Sequence, residues 1–179
     1  MAQVKEIMMA NTSNVKEMEF GRVYSVRVPK LLPNCSIVTL GAAGTGVNDH
    51  VYAVTADAAE TAIGKHVIVA PEIVVEQYSL TDGHIGYFRL DAQEVYSAYK
   101  LQLNDRIEYS EKYFTDGTLA EGETFNIAAD GKFVHAPGKD GCLKVVSVRD
   151  MARGMILKPD MLGLYSGAKT KLVKLEVVK

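Results

Sequence analysis

The residues that come closest to a chemical motif form the glycine-rich run at positions 41–46, Gly-Ala-Ala-Gly-Thr-Gly. A phosphate-binding loop must open onto the N-terminus of a helix, whose backbone N–H groups then face the phosphate. Here no Lys-Ser or Lys-Thr pair follows, and residues 51–54 have the composition of a strand. We therefore predict a strand-to-strand loop at 41–46, and the sequence predicts no cofactor.

Metal-binding and nucleophilic residues are scattered along the chain. Zinc sites usually draw on closely spaced His and Cys residues, and no Cys-x-x-Cys motif occurs here. The isolated residues are His50, His66, His84, His135, Cys35 and Cys142. We predict no metal site, solvated positions for His84 and His135, and ordinary buried roles for both cysteines.

A serine nucleophile elbow is also absent, because the segment 163–167, Gly-Leu-Tyr-Ser-Gly, has the wrong frame for Gly-x-Ser-x-Gly. The carboxylates are spread evenly, so no acid–base pair stands out. A Cys–His pair could be assembled only by tertiary folding, and this leaves a hydrolase as one alternative. The scattered tyrosines favour core or interface packing, although they could also line a carbohydrate or small-molecule pocket.

Composition and charge narrow the classes of partner. The chain has 20 basic and 22 acidic residues, a formal net charge of −2, and a hydrophobic fraction of 47% over 179 residues. Such a balance argues against a protein that binds nucleic acid and against a polybasic protein that binds membrane surfaces. No apolar run of about 18 residues and no signal-like N-terminus are found, so we expect synthesis in the cytoplasm.

Alternating polarity is the clearest structural signal. Between Tyr99 and Ser110 apolar and polar residues alternate, and only Asp105 interrupts the apolar series. A period of two predicts a long strand with one buried face. Shorter β-branched runs predict further strands near 23–28, 36–40, 51–54, 66–69, 124–128, 132–136, 143–148 and 170–178.

Two hairpins are predicted from Asp-Gly pairs, which favour two-residue turns with positive φ at both positions. One turn lies at Asp82–Gly83 and the other at Asp130–Gly131. The second register puts Phe125, Ile127, Val134 and Ala136 on the core face and leaves Phe133 on the opposite face. Phe133 is then a candidate exposed aromatic at an interface, the alternative being that a second layer of the same protein covers it.

These patterns predict a mainly β protein built of antiparallel sheets, with a small C-terminal β-barrel or sandwich module and an N-terminal arm. The expected divisions are an arm or short helix at 1–19, a β-rich domain at 20–110 and a C-terminal β module at 111–179. Ile7, Met8 and Met9 are candidate interface residues in the arm, because adaptable Met side chains suit docking contacts. The alternative, a segment packed on its own domain, stays open.

Three stretches, 99–109, 117–125 and 129–134, resemble accessory head proteins of tailed bacteriophages and prophages. In that family a β-rich chain of this size coats the capsid and reinforces the contacts between capsomers. The resemblance implies a non-enzymatic decoration protein on the capsid surface of the virion, made in the bacterial host cytoplasm. Its implied partner is the major capsid protein, with self-association, for which a trimer would suit a threefold lattice position.

Three other functions remain open from the sequence. Turn-rich β modules also occur in phage tail and head-fibre components. A ligand-binding β-barrel would use the tyrosines, and the hydrolase described above would use Cys35 or Cys142. No catalytic, cofactor-binding or metal-ligating residue is predicted, and no nucleic-acid or membrane partner is expected.

Overall fold

A computed structural model describes residues 10–19, 22–70, 89–152 and 169–179, and in these residues the predicted mainly β class is confirmed. The strands are β1 Ala10–Asn14, β2 Tyr24–Arg27, β3 Leu32–Pro33, β4 Ile37–Ala43, β5 Val51–Thr55, β6 His66–Val69, β7 Arg89–Leu90, β8 Val95–Lys100, β9 Arg106–Ser110, β10 Thr124–Ile127, β11 Phe133–His135, β12 Leu143–Ala152 and β13 Lys169–Val177. One short helix, α1, spans Lys16–Glu19, and single 3-10 turns lie at Gly46–Asn48, Glu111–Tyr113 and Pro137–Lys139. In the described ranges no helix has the length and apolar character needed to cross a bilayer.

The first half of the chain closes a barrel in the order β2-β5-β4-β6-β8. The β2–β5 pair is parallel, and the other neighbours are antiparallel. Closure removes the exposed sheet edges that would otherwise pair with other chains. The interior is filled by aliphatic side chains, among them Val26, Val38, Ile68 and Ala98. The closed barrel is thus formed by residues from 24 to 100.

The later strands form a six-stranded antiparallel sheet in the order β1-β9-β13-β12-β10-β11. Strand pairing therefore changes between β8 and β9, and the N-terminal β1 joins the edge of this second sheet. A shared core joins sheet and barrel, with Ile37 and Val67 on the barrel side and Tyr109 and Leu175 on the sheet side. The predicted boundary at residue 110 stays a prediction.

The loop at residues 34 and 35 binds the sheet through two tyrosine hydroxyls. Tyr109 Oη donates to the Cys35 carbonyl oxygen at 2.9 Å, and Tyr113 Oη donates to the Asn34 carbonyl oxygen at 2.6 Å. Both rings are fully buried, and the Tyr109 ring lies 4.7 Å from that of Phe133, edge to face. This aromatic cluster holds the sheet against the barrel.

The single long strand predicted from Tyr99 to Ser110 is wrong, because a turn separates β8 from β9. Asn104 in this turn has a φ of 68°, which ends the extended backbone. The Asp105 side chain is completely buried and accepts hydrogen bonds from the N–H groups of Gln102, at 2.8 Å, and Lys16, at 3.2 Å. A short carboxylate that binds nearby N–H groups favours a turn over a strand.

The hairpin predicted at Asp130–Gly131 forms, but its register differs by one residue. Ile127 lies opposite Phe133, and Asn126 lies opposite Val134. Of the two turn residues only Gly131 has a positive φ, and the N–H of Ala128 donates to the Lys132 carbonyl, which makes a three-residue loop.

A shift of one residue moves the side chains of the shifted strand, here β11, to the other face of the sheet. Phe133 is therefore 1% exposed and Val134 is 38% exposed, the reverse of the prediction. The expectation that Phe133 is an exposed aromatic is wrong, and the alternative that another layer covers it is correct. The buried ring offers no surface to a docking partner.

The N-terminal residues 10–19 pack against their own chain. β1 pairs with β9, and Val15 is fully buried. Of the two alternatives for the N-terminal segment, packing on its own domain describes these residues. The Asp82–Gly83 hairpin, His84 and the arm residues Ile7, Met8 and Met9 lie outside the described residues.

Candidate functional site

The longest strand pair extends beyond the rest of the six-stranded sheet. β12 and β13 stay paired from Leu143 opposite Val177 to Ala152 opposite Lys169. β10 pairs with β12 only at Leu143 and Lys144, and the backbone of Val145 bonds to Glu123 and Gly122. Among the described residues no strand pairs with the outer edge of β12 after Val145. We call residues 147–152 and 169–174 the ribbon.

Ion pairs connect the ribbon to the adjacent strand β9. Arg149 Nη2 lies 2.7 Å from Glu108 Oε2, and Lys174 Nζ lies 3.3 Å from Glu108 Oε1. Burial alone would raise the pKa of Glu108, but the hydrogen bonds and charges of Arg149 and Lys174 lower it overall. The carboxylate thus stays ionised and connects β9 with both strands of the ribbon, β13 and β12.

A cleft of about 320 Å³ lies at one end of the barrel. β2 begins at Tyr24 and the antiparallel β8 ends at Lys100, which brings both residues to this end. Ile63 lines the cleft from the segment before β6, and Leu103 lines it from the turn after β8. Helix α1 contributes Glu17. The walls therefore come from separate segments that only the closed barrel brings together.

Glu17 is the most buried charged group of this cleft, with its side chain 5% exposed. Its Oε1 accepts a hydrogen bond from Gln102 Nε2 and lies 3.9 Å from Arg22 Nη1. Lys100 also lines the cleft and is exposed, and among the described residues it has no ion-pair partner. In the described part of the chain the cleft holds two cationic groups and one carboxylate.

His66 lies just inside the barrel, opposite Lys100 across β6 and β8. It is 4% exposed, and its ring stands edge-on to Tyr24 with the centroids 4.9 Å apart. Neither ring nitrogen has a hydrogen-bond partner among the described residues. Burial lowers the pKa of His66, as does the nearby Lys100, while Glu17 acts in the opposite direction. The imidazole is therefore neutral at neutral pH.

A second, more open cleft of about 510 Å³ lies beside the β10–β11 hairpin. Its wall includes Asp116, which accepts a hydrogen bond from the backbone N–H of His135 at 2.8 Å. His135 Nε2 lies 2.9 Å from Glu123 Oε2, and the ring is half-buried rather than solvated. Among the described residues no group of three or more His, Cys, Asp or Glu side chains could hold a metal ion.

Both cysteines are buried and unpaired, as predicted. Burial raises the pKa of the Cys35 thiol to about 12, and that of the Cys142 thiol to about 11. A nucleophilic cysteine needs a lowered pKa, because the thiolate is the reactive form. These two thiols remain protonated at neutral pH, which is typical of structural cysteines.

Sequence reasoning missed the barrel-end cleft. Glu17, Arg22, Lys100 and Gln102 form no local motif, and the one sequence signal for this cleft is the general one that scattered tyrosines, of which Tyr24 is one, could line a pocket. The sequence matches no protein-family model, and comparison with curated proteins yields no match.

Proposed function

We propose that the protein is a non-enzymatic structural subunit that binds the shell of a phage capsid and stabilises it. The observation that carries the proposal is the outer edge of β12, which has no strand partner among the described residues after Val145. A free strand edge can pair with a strand of another chain. The resemblance of 99–109, 117–125 and 129–134 to capsid decoration proteins supports the major capsid protein as that partner.

The ribbon suits such a contact because ion pairs connect its first residues to the neighbouring strand β9. The ion pairs of Glu108 with Arg149 and Lys174 link the ribbon to the adjacent strand. A strand edge that is already extended loses little conformational freedom on pairing, which favours binding. The subunit would then sit on the outer surface of the virion, and copies placed around a threefold axis would form a trimer.

Co-sedimentation with undecorated capsids tests the proposal. Proline removes a backbone donor, and alternate residues of an edge strand direct their N–H groups outward. Of the neighbouring variants Ser147→Pro and Val148→Pro, one removes an outward donor and the other removes a β12–β13 bond. We expect the variant that removes the outward donor to keep its melting temperature and to lose capsid binding.

Two further variants complete the test. Replacing Ile7, Met8 and Met9 together with serine is expected to weaken capsid binding if these residues form an arm. Val47→Ser is the matched control, because Val47 is an apolar side chain that is 89% exposed. Wild-type protein that fails to sediment with capsids would refute the decoration role, and binding to isolated tails alone would favour a tail component.

A further inference from the structure

We propose that the cleft at the barrel end binds a small organic monoanion, with its carboxylate against Lys100 and Arg22 and a compact apolar body against Ile63 and Leu103. The proposal goes beyond the capsid-binding role and does not depend on it. The size, the charge and the lining of the cleft support it separately.

The size of the cleft limits the ligand. Pockets for small molecules measure roughly 300–1,000 Å³, and the volume here, about 320 Å³, lies at the lower end. The rim carries Ile63 and Leu103, which are 46% and 48% exposed. Exposed apolar side chains around a concave site are typical of ligand-binding grooves. The ligand should therefore be compact and partly apolar.

The charge of the cleft selects an anion. Glu17 is buried, and its Oε1 is already engaged by Gln102 and approached by Arg22. Its role is to orient those two side chains at the wall. Among the described lining residues there are two cationic groups and one carboxylate, and Lys100 has no ion-pair partner there, so one positive charge of this set is uncompensated. A carboxylate neutralises that charge, whereas a phosphate dianion would leave an excess negative charge near buried Glu17.

The wall of the cleft includes one aromatic side chain, Tyr24, which contacts His66. The Tyr24 ring lines the cleft and covers the His66 ring from the side, with their centroids 4.9 Å apart. Because the His66 imidazole is uncharged at neutral pH, it adds no second site for an anion. The cationic side chains of the described lining are therefore Lys100 and Arg22, which are both exposed, and Ile63 and Leu103 are available to the apolar body of the ligand.

Titration of the full-length, isotope-labelled protein with phenylacetate tests the proposal by NMR. We expect saturable shifts of the amide signals of Tyr24, Gln102 and Leu103. Benzyl alcohol has a similar ring but no charge, and phenyl phosphate carries up to two negative charges. Benzyl alcohol should bind at least about tenfold more weakly, since one charge-assisted contact is worth about a factor of ten or more. Phenyl phosphate should also bind more weakly, because its second negative charge lies near buried Glu17.

The Lys100→Met variant separates a charged contact from a generic apolar one. Methionine retains the length of the side chain, and Lys100 is exposed, so the fold should be preserved and can be checked by its melting temperature. Phenylacetate should bind about tenfold more weakly to this variant. Lys144→Met removes an exposed lysine from β12 and should leave binding unchanged.

Three results would overturn the proposal. The first is the absence of saturable shifts at the barrel end with millimolar phenylacetate. The second is equal affinity of wild type and Lys100→Met, and the third is binding of benzyl alcohol as tight as that of phenylacetate. Capsid co-sedimentation of Lys100→Met should stay at the wild-type level, so the two proposals can fail independently.

Discussion

Replacing Gly131 with alanine tests the packing of the β10–β11 turn against the barrel. Gly131 is buried and has a φ of 79°, a conformation that L-residues rarely adopt. A methyl group at this position would overlap Ser36 Oγ and come within 3.1 Å of Pro33 Cδ. Ser36 is fully buried, and its hydroxyl donates to the Pro33 carbonyl at 2.7 Å, so it has little room to move.

The magnitude follows from two costs. The left-handed backbone costs an L-residue about 1–2 kcal/mol, and forcing a methyl group into a packed contact costs typically about 1–3 kcal/mol more. Alanine also lowers the conformational entropy of the unfolded chain, and this offsets about 0.4–1 kcal/mol of the destabilisation. We expect the free energy of unfolding to fall by about 1–4.5 kcal/mol.

Gly122→Ala is the matched control. Gly122 has a φ of 86°, but a methyl group there would meet nothing within 4 Å, so only the backbone cost applies. Urea unfolding followed by circular dichroism measures both variants. In a double-mutant cycle, Ser36→Ala should recover part of the Gly131→Ala loss, by about 0.5–2 kcal/mol. Equal destabilisation by Gly131→Ala and Gly122→Ala would refute the contact of Gly131 with Ser36 and Pro33.

Three more predictions concern buried polar groups. Burial and the nearby Lys100 lower the pKa of His66 in the folded state below its ordinary 6.5. Protonation of His66 therefore favours unfolding, and its contribution to stability should be complete above pH 6.5 and fall as the pH drops below that value. His66→Leu should flatten that decline in urea titrations, and an unchanged profile would contradict the assignment. Tyr109→Phe leaves the buried Cys35 carbonyl without its donor and should lower the free energy of unfolding by about 1–3 kcal/mol, measured by the same unfolding assay; a loss below the error of the assay would argue against this hydrogen bond. Cys35 and Cys142 should react with Ellman's reagent in urea but hardly at all in the native protein, since both are buried with raised pKa values, and rapid native labelling of either would show that its burial is wrong.

The candidate sites illustrate why function was harder to predict than fold class. The cleft joins Glu17 of α1, Lys100 at the end of β8 and Gln102 of the next turn, and the Lys16–Asp105 contact near it spans 89 positions. No spacing rule relates such residues, because their proximity is created by barrel closure. The ribbon could not be predicted either. The sequence predicts strands near 143–148 and 170–178 but does not indicate at which residues these strands lack a pairing partner.

The sequence by itself determined the β class and the positions of many strands, because side-chain branching and Gly or Asp turn chemistry act within a few residues. Residues 51–54 and 66–69, for example, are strands as predicted. Tertiary structure alone decided the face on which Phe133 lies and the place of β1 beside β9, and the packing of Gly131 on Ser36 is one such distant contact. The turn that splits 99–110 combines both levels, because Asn104 and Asp105 have local turn chemistry and the Lys16 N–H adds a distant hydrogen bond to Asp105. A local sequence pattern reflects the conformational preference of each residue. Register and strand order are instead set by the total burial of apolar side chains in the folded chain.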